Sequence, residues 1–87
     1  MTKDEIKETM ESFAECIEEK NGMLLVMSTT DKKLRIVCPG YENFRSLKDA
    51  VDVSEMLKTA YSVYKITNTS DMSYADWLRD YAEKLFF

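Results

Sequence analysis

The hydrophobic pattern of the first twenty residues predicts an amphipathic helix. Apolar residues recur at helical spacing on one side of this segment: Ile6, Met10, Phe13, Ala14 and Ile17. Thr2 and Glu5 match a capping box, in which each side chain accepts a hydrogen bond from the other residue's backbone N–H. Gly22 suits the left-handed conformation that closes a helix. We therefore expect a helix over residues 2–20, ended by this glycine.

After Gly22 the pattern becomes that of a β-hairpin. Two segments rich in apolar residues, 23–29 and 34–38, flank a polar turn, which predicts two antiparallel strands. The first strand is apolar on both faces, because successive residues point to opposite faces of a sheet and all residues at 23–27 are apolar. A two-stranded sheet of this kind is marginal by itself. Either helices cover both faces, or a third strand is present, or the hairpin pairs with another chain.

The segment 45–66 has helical spacing but changes its apolar face midway. One straight helix cannot bury two different faces on the same core. We therefore expect a short helix at 46–51 and a longer one at 53–65, with Asp52 capping the second. The alternative is a third strand at 60–67, where β-branched and aromatic residues are frequent.

The C-terminal segment predicts one more amphipathic helix. Ser73 is a typical N-cap, with Asp76 three residues later. The apolar stripe of this helix consists of Tyr74, Leu78, Tyr81, Ala82 and Leu85. The last residues, Phe86 and Phe87, are so apolar that they must pack on this chain's own core or on a partner. Together the elements predict a single α+β domain over 1–87, of order αββααα.

The composition lacks the residues that most catalytic and cofactor sites need. The chain has no histidine and two glycines, which removes the commonest general base and any glycine-rich phosphate loop. Cys16 and Cys38 have no imidazole to activate them and cannot complete a four-ligand zinc site. We expect no enzyme activity, no metal and no cofactor. Both cysteines are expected to be small buried hydrophobic residues.

The distribution of charge is more informative than its total. The formal net charge is −4, and residues 1–20 carry the whole excess, with seven acids against three lysines. Five of these acids follow a 4-3-4-3 spacing that places them opposite the apolar side of the helix: Asp4, Glu8, Glu11, Glu15 and Glu18. We call this set the acidic face. It is either a solvated surface or a docking surface for a basic partner, such as the nucleic-acid-binding groove of another protein.

Two other groups of residues are weaker candidates. The bases around the hairpin form a local basic patch: Lys32, Lys33, Arg35, Arg45 and Lys48. Scattered bases of this kind are ordinary surface, and the acidic balance of the chain disfavours direct binding of nucleic acid. The aromatic residues of the C-terminal half are expected in the core rather than on a stacking platform: Tyr61, Tyr64, Tyr74, Trp77 and Tyr81.

These features favour a small regulatory or inhibitory protein that occupies the surface of a basic partner protein. Small acidic inhibitors that phage and mobile elements direct against host defence nucleases provide an analogy of size and charge. The rival is an assembly module that forms homodimers through the hairpin or the C-terminal helix. Its self-association residues are Met23, Leu25, Met27, Phe86 and Phe87. A charged N-terminus and the lack of a long apolar run predict a cytoplasmic protein without membrane contact.

Overall fold

A computed structural model describes residues 2–38 and 50–86 of the chain. In chain order the elements are α1 (Lys3–Glu19), β1 (Leu24–Ser28), β2 (Leu34–Val37), β3 (Ala50–Asp52), α2 (Ser54–Asn68), α3 (Tyr74–Asp80) and a C-terminal 3₁₀ helix (Ala82–Phe86). Helices combine with an antiparallel sheet in the order α, β, β, β, α, α, which confirms the α+β class.

Helix α1 begins as its sequence predicts. The Thr2 hydroxyl accepts a hydrogen bond from the Glu5 N–H at 3.2 Å, and the Glu5 carboxylate accepts one from the Thr2 N–H at 3.3 Å. The predicted capping box is therefore confirmed. The residue that closes the helix is Lys20, at φ 56°, rather than Gly22, which lies in the following loop at φ 75°. The cap forms two residues earlier because the Lys20 N–H donates hydrogen bonds to the carbonyl groups of Cys16 and Ile17.

The hairpin is joined by a third strand, which makes β1 the central strand in the order β2-β1-β3. Both neighbours are antiparallel to β1, so that Met27 lies between Leu34 on β2 and Val51 on β3. Leu25 and Val26 point to opposite faces of the sheet, and both are buried. Pairing on both edges of β1 satisfies the backbone N–H and C=O groups of this buried strand. The sequence allowed for a third strand but placed it at 60–67, and that position is wrong.

The strand β3 corrects one expectation for the middle of the chain. Residues 50 and 51 belong to this strand and not to the expected short helix at 46–51, of which residues 46–49 lie outside the described part. The helix expected at 53–65 is confirmed as α2, which includes residues 60–67, and the alternative of a strand at 60–67 is wrong. Asp52 lies directly before α2 but does not cap it as expected, because the N-cap residue is Val53 and the helix has no side-chain cap hydrogen bond. The Oδ1 of Asp52 accepts a hydrogen bond from the Ser54 N–H at 2.8 Å.

The core forms where α1, α3 and one face of the sheet meet, with the start of α2 closing one side. Its buried residues are Ile6, Met10, Phe13, Ala14, Leu25, Leu34, Val53, Leu57, Ala75, Trp77, Leu78 and Ala82. Ser73 caps α3 as predicted, because its hydroxyl accepts a hydrogen bond from the Asp76 N–H at 3.2 Å. The α-helix ends at Asp80 and the chain continues as the 3₁₀ helix, which leaves Leu85 of the predicted stripe exposed.

The cysteines and aromatic residues follow the sequence expectations in part. Cys16 packs against the core, but Cys38 is exposed just beyond the end of β2, so its predicted burial is wrong. Trp77 is buried in the core, as expected. The four tyrosines of the aromatic set are partly buried and pack against the same core, with the Tyr61 and Tyr74 ring centroids 5.1 Å apart.

Candidate functional site

The five carboxylates of the acidic face are all exposed on α1, on the side away from the core. The residues that anchor α1 on the core, Ile6, Met10 and Phe13, occupy the opposite side of the helix. The apolar residues and the acidic residues each recur at the helical period of 3.6 residues. The two sets start at different positions, so they lie on opposite sides of the helix. The acidic face is therefore a single surface of the folded protein.

Arg79 on α3 contacts two of the five carboxylates. Its Nε lies 3.1 Å from both carboxylate oxygens of Glu11, and its Nη2 donates a hydrogen bond to Glu18. The Nη1 of the same guanidinium lies 3.4 Å from Oδ1 of Asp76 on its own helix. Three carboxylates thus surround one guanidinium, whose side chain is 23% exposed. We call this group the Arg79 cluster.

Packing of α3 against α1 brings the Arg79 cluster together. Trp77 and Leu78 are buried against the core, and Arg79 follows them on the flank of α3 that faces α1. Glu11 and Glu18 are seven residues apart, which is about two helical turns and places them above one another on the same flank. A guanidinium has five N–H donors in a planar fork, so one arginine can bind both carboxylates at once.

The Arg79 cluster changes the charge of the acidic face without cancelling it. Hydrogen bonding to Arg79 lowers the pKa of Glu18, while the hydrogen bonds from Arg79 to Glu18 and Glu11 raise the pKa of the guanidinium. Within the part of the chain that the structure describes, the other three acids of the face, Asp4, Glu8 and Glu15, form no ion pair. Asp76 adds a sixth carboxylate next to the face, and sequence spacing on α1 gave no indication of it.

The predicted self-association residues have different environments. Leu25 is completely buried in this chain's own core, and Met27 and Phe86 pack against that core. Met23 is partly buried at the start of the hairpin, and Phe87 lies outside the described residues. The hairpin therefore directs Leu25 inward and does not offer this side chain to another molecule.

Three of the five bases of the predicted basic patch belong to the described hairpin. Lys32, Lys33 and Arg35 are exposed, and Arg35 lies 3.6 Å from Asp31 in an ion pair across the turn. Arg45 and Lys48 lie outside the described residues. The hairpin turn is thus mixed in charge, as is usual for a solvated loop.

The structure also exposes an apolar surface that the sequence interpretation missed. Met56, Val63 and Ile66 lie on the outer side of α2 and are 46%, 58% and 81% exposed. Their spacing of seven and three residues places them on one stripe, opposite the tyrosines that pack on α3. This spacing was the available signal, but two of these residues, Val63 and Ile66, also suited the alternative of a strand at 60–67. We call this stripe the α2 surface.

Several kinds of site are not found in residues 2–38 and 50–86. No group of three or more metal-binding side chains occurs there, and no helix combines the length and apolarity needed to cross a bilayer. Two buried side-chain atoms in the same ranges have no hydrogen-bond partner, the Tyr74 hydroxyl and Oε2 of Glu83. Both residues lie on the C-terminal elements and not on the acidic face.

Comparisons with protein-family models, with curated proteins and with solved structures give no significant match. The functional interpretation therefore depends on the residues of this chain and on their arrangement.

Proposed function

We propose that this protein is a protein-binding module whose acidic face docks on a basic surface of a partner protein. The observation that carries the proposal is the charge of α1, where five exposed carboxylates share one side of the helix and a single guanidinium contacts two of them. A partner whose own function depends on a basic groove, as in nucleic-acid-binding proteins, would be blocked by such docking. The protein would then act as a regulator or inhibitor and not as an enzyme.

The Arg79 cluster supports this proposal because it orders part of the acidic face before binding. Long acidic side chains lose rotamer freedom when they are immobilised at an interface, and that loss weakens binding. Arg79 already restrains Glu11 and Glu18, while Glu8 and Glu15 form no ion pair with another described residue and can pair with a partner. Complementary charge of this kind increases the association rate and makes binding sensitive to salt.

The experiment begins with capture of partners by the tagged full-length protein at low salt and their identification by mass spectrometry. The captured partner is then purified, and its affinity is measured at two salt concentrations. The test variant is Asp4→Asn/Glu8→Gln/Glu15→Gln, which removes three charges and leaves the Arg79 cluster intact. The matched control is Glu55→Gln/Asp71→Asn/Asp80→Asn, which makes the same change in net charge at exposed positions away from α1.

We expect the test variant to bind about tenfold more weakly, since each surface charge pair contributes about 0.2–1 kcal/mol and the three together contribute about 0.6–3 kcal/mol. The control variant should bind like the unchanged protein. High salt should weaken partner binding by the control variant and by the unchanged protein. Equal affinities of the test and control variants would show that the acidic face only solubilises the protein.

A second candidate function is self-association, and the α2 surface is the observation that favours it. Ile66 and Val63 are exposed in spite of their size, and contiguous exposed apolar residues often mark interaction sites. Light scattering at two salt concentrations tests this function, with Ile66→Lys as the variant and Thr67→Lys as an exposed neighbour for control. A dimer that survives high salt and is lost only in Ile66→Lys supports self-association, whereas a monomer under all conditions excludes it.

A further inference from the structure

A shallow groove lies between α1 and β2, on the flank of α1 away from the Arg79 cluster. Glu8, Thr9 and Ser12 form its helical wall, and Leu34 and Ile36 form its floor on the sheet. Its volume is about 280 Å³, close to the lower limit for small-molecule sites, and it is open along its length. These dimensions suit a segment of polypeptide better than an enclosed small ligand.

The groove exists because two short side chains face the strand at this point of α1. Thr9 and Ser12 are three residues apart and lie one turn above the other on the side of α1 that passes over β2. Larger apolar residues at the two positions would fill the space above Leu34 and Ile36, as close packing does elsewhere in protein cores. The result is a surface with an apolar floor, a hydroxyl-bearing wall and a carboxylate at its rim.

The charge of the groove identifies the kind of side chain that it accepts. Glu8 belongs to the acidic face and has no ion pair within the described ranges. On the opposite flank of α1, the carboxylates of the same face already bind a guanidinium, because Glu11 and Glu18 contact Arg79. The chain therefore contains an intramolecular example of the group that α1 binds, and on the groove flank Glu8 has no such partner among the described residues.

We infer that this groove binds an extended, arginine-bearing segment of the partner protein. In an extended segment successive side chains point to opposite sides, so an apolar residue can contact the partly exposed Ile36 while the next residue reaches Glu8. The inference rests on the proposed function, and it adds the conformation of the bound segment and the residue type that Glu8 recognises. Arginine is preferred to lysine, since its planar fork forms paired hydrogen bonds to a carboxylate.

The probe is a synthetic peptide of six residues that alternates arginine and valine, with blocked ends. Two further peptides replace arginine by lysine or by glutamate. Binding to the full-length protein is measured by NMR titration of the backbone amides at low salt. We expect the arginine peptide to shift the amides of Thr9, Ser12 and Ile36 most strongly, the lysine peptide to bind about threefold more weakly, and the glutamate peptide not to bind.

Ser12→Phe is the variant that separates the groove from the acidic face, because it fills the groove and leaves every charge in place. Ser62→Phe, at an exposed position on α2, is the matched control. We expect Ser12→Phe to weaken binding of the arginine peptide about tenfold and Ser62→Phe to leave it unchanged. Glu8→Gln provides a second variant and should weaken this binding about threefold by removing the acceptor.

The outcomes distinguish the two proposals. If the partner protein depends on Asp4, Glu8 and Glu15 but Ser12→Phe has no effect on either partner or peptide, the groove inference is wrong and the acidic docking surface remains. If the arginine peptide does not bind, or if its shifts spread over α1 without involving β2, the groove is again excluded. If neither partner nor peptide responds to the charge substitutions, the proposed function itself is wrong.

Discussion

Arg79 Nε lies 3.1 Å from both carboxylate oxygens of Glu11, although the two residues are 68 positions apart in the chain. This contact joins the last α-helix to the first and fixes where the acidic face ends. We predict that Arg79→Ala lowers the thermal midpoint by a few degrees, because Glu11, Glu18 and Asp76 then repel one another without a cation between them.

Thermal unfolding followed by circular dichroism measures the effect of Arg79→Ala. The loss should become smaller in 1 M salt, where repulsion between exposed carboxylates is screened. Lys84→Ala is the control, since Lys84 is an exposed base near the same end of the chain that lies over the Tyr81 ring and forms no ion pair with a described carboxylate. Equal midpoints for Arg79→Ala and the unchanged protein would mean that the cluster does not stabilise the fold.

The pKa of Glu18 gives the Arg79 cluster a defined dependence on pH. Hydrogen bonding to Arg79 lowers this pKa in the folded state below its value of about 4.3 in the unfolded chain. The stabilisation is therefore complete above the unfolded pKa and is lost as the pH falls through the lowered folded pKa. We predict that Glu18→Gln reduces the loss of stability between pH 5 and pH 3, measured by urea denaturation, whereas Glu15→Gln should not reduce it.

Ser54 connects the start of α2 to the central strand. Its Oγ accepts a hydrogen bond from the Leu25 N–H at 2.8 Å, in a position where both residues are buried. Ser54→Ala leaves this N–H without its acceptor, and we predict a loss of about 2 kcal/mol in the free energy of unfolding. Urea denaturation measures it, with exposed Ser62→Ala as a control that should change stability by less than about 0.5 kcal/mol.

Two neighbouring tyrosines should respond differently to removal of the hydroxyl group. The Tyr74 hydroxyl is buried without a hydrogen-bond partner, and burial, with the charges of Glu55 and Asp52, raises its pKa to about 12. The Tyr61 hydroxyl donates a hydrogen bond to the Met72 carbonyl at 2.5 Å. We predict that Tyr74→Phe is neutral or stabilising, whereas Tyr61→Phe costs about 1 kcal/mol. Urea denaturation of both variants compares them directly, and a larger loss for Tyr74→Phe would contradict the assignment of its hydroxyl as unpaired.

The local patterns of the sequence were sufficient where an element depends mainly on its own residues. The capping box of Thr2 and Glu5, the hairpin and the Ser73 cap all involve residues that are close in sequence, and each forms as predicted. The position of the third strand was not predictable in this way. Residues 50–52 become β3 because β1 has a second edge to be paired, which is a property of another part of the chain.

The candidate site also combines features that the local sequence predicted with features that depend on residues distant in sequence. The spacing of acids on α1 predicted one acidic face, and the five carboxylates are exposed together. Spacing could not show that Arg79 binds two of them, because that contact depends on how α3 packs against α1. It also could not show that Leu25 is buried in this chain's own core, since β1 is apolar on both faces and either face could have met a partner.

The sequence by itself therefore determined the α+β class, the helix α1 with its acidic face, the hairpin and the N-terminal caps of α1 and α3. These features arise from periodicity and from hydrogen bonds between residues a few positions apart. Only the tertiary structure decided the place of β3, the ion pairs of Arg79 and the groove beside Glu8. Each of these depends on the packing of elements distant in sequence, which local spacing does not specify.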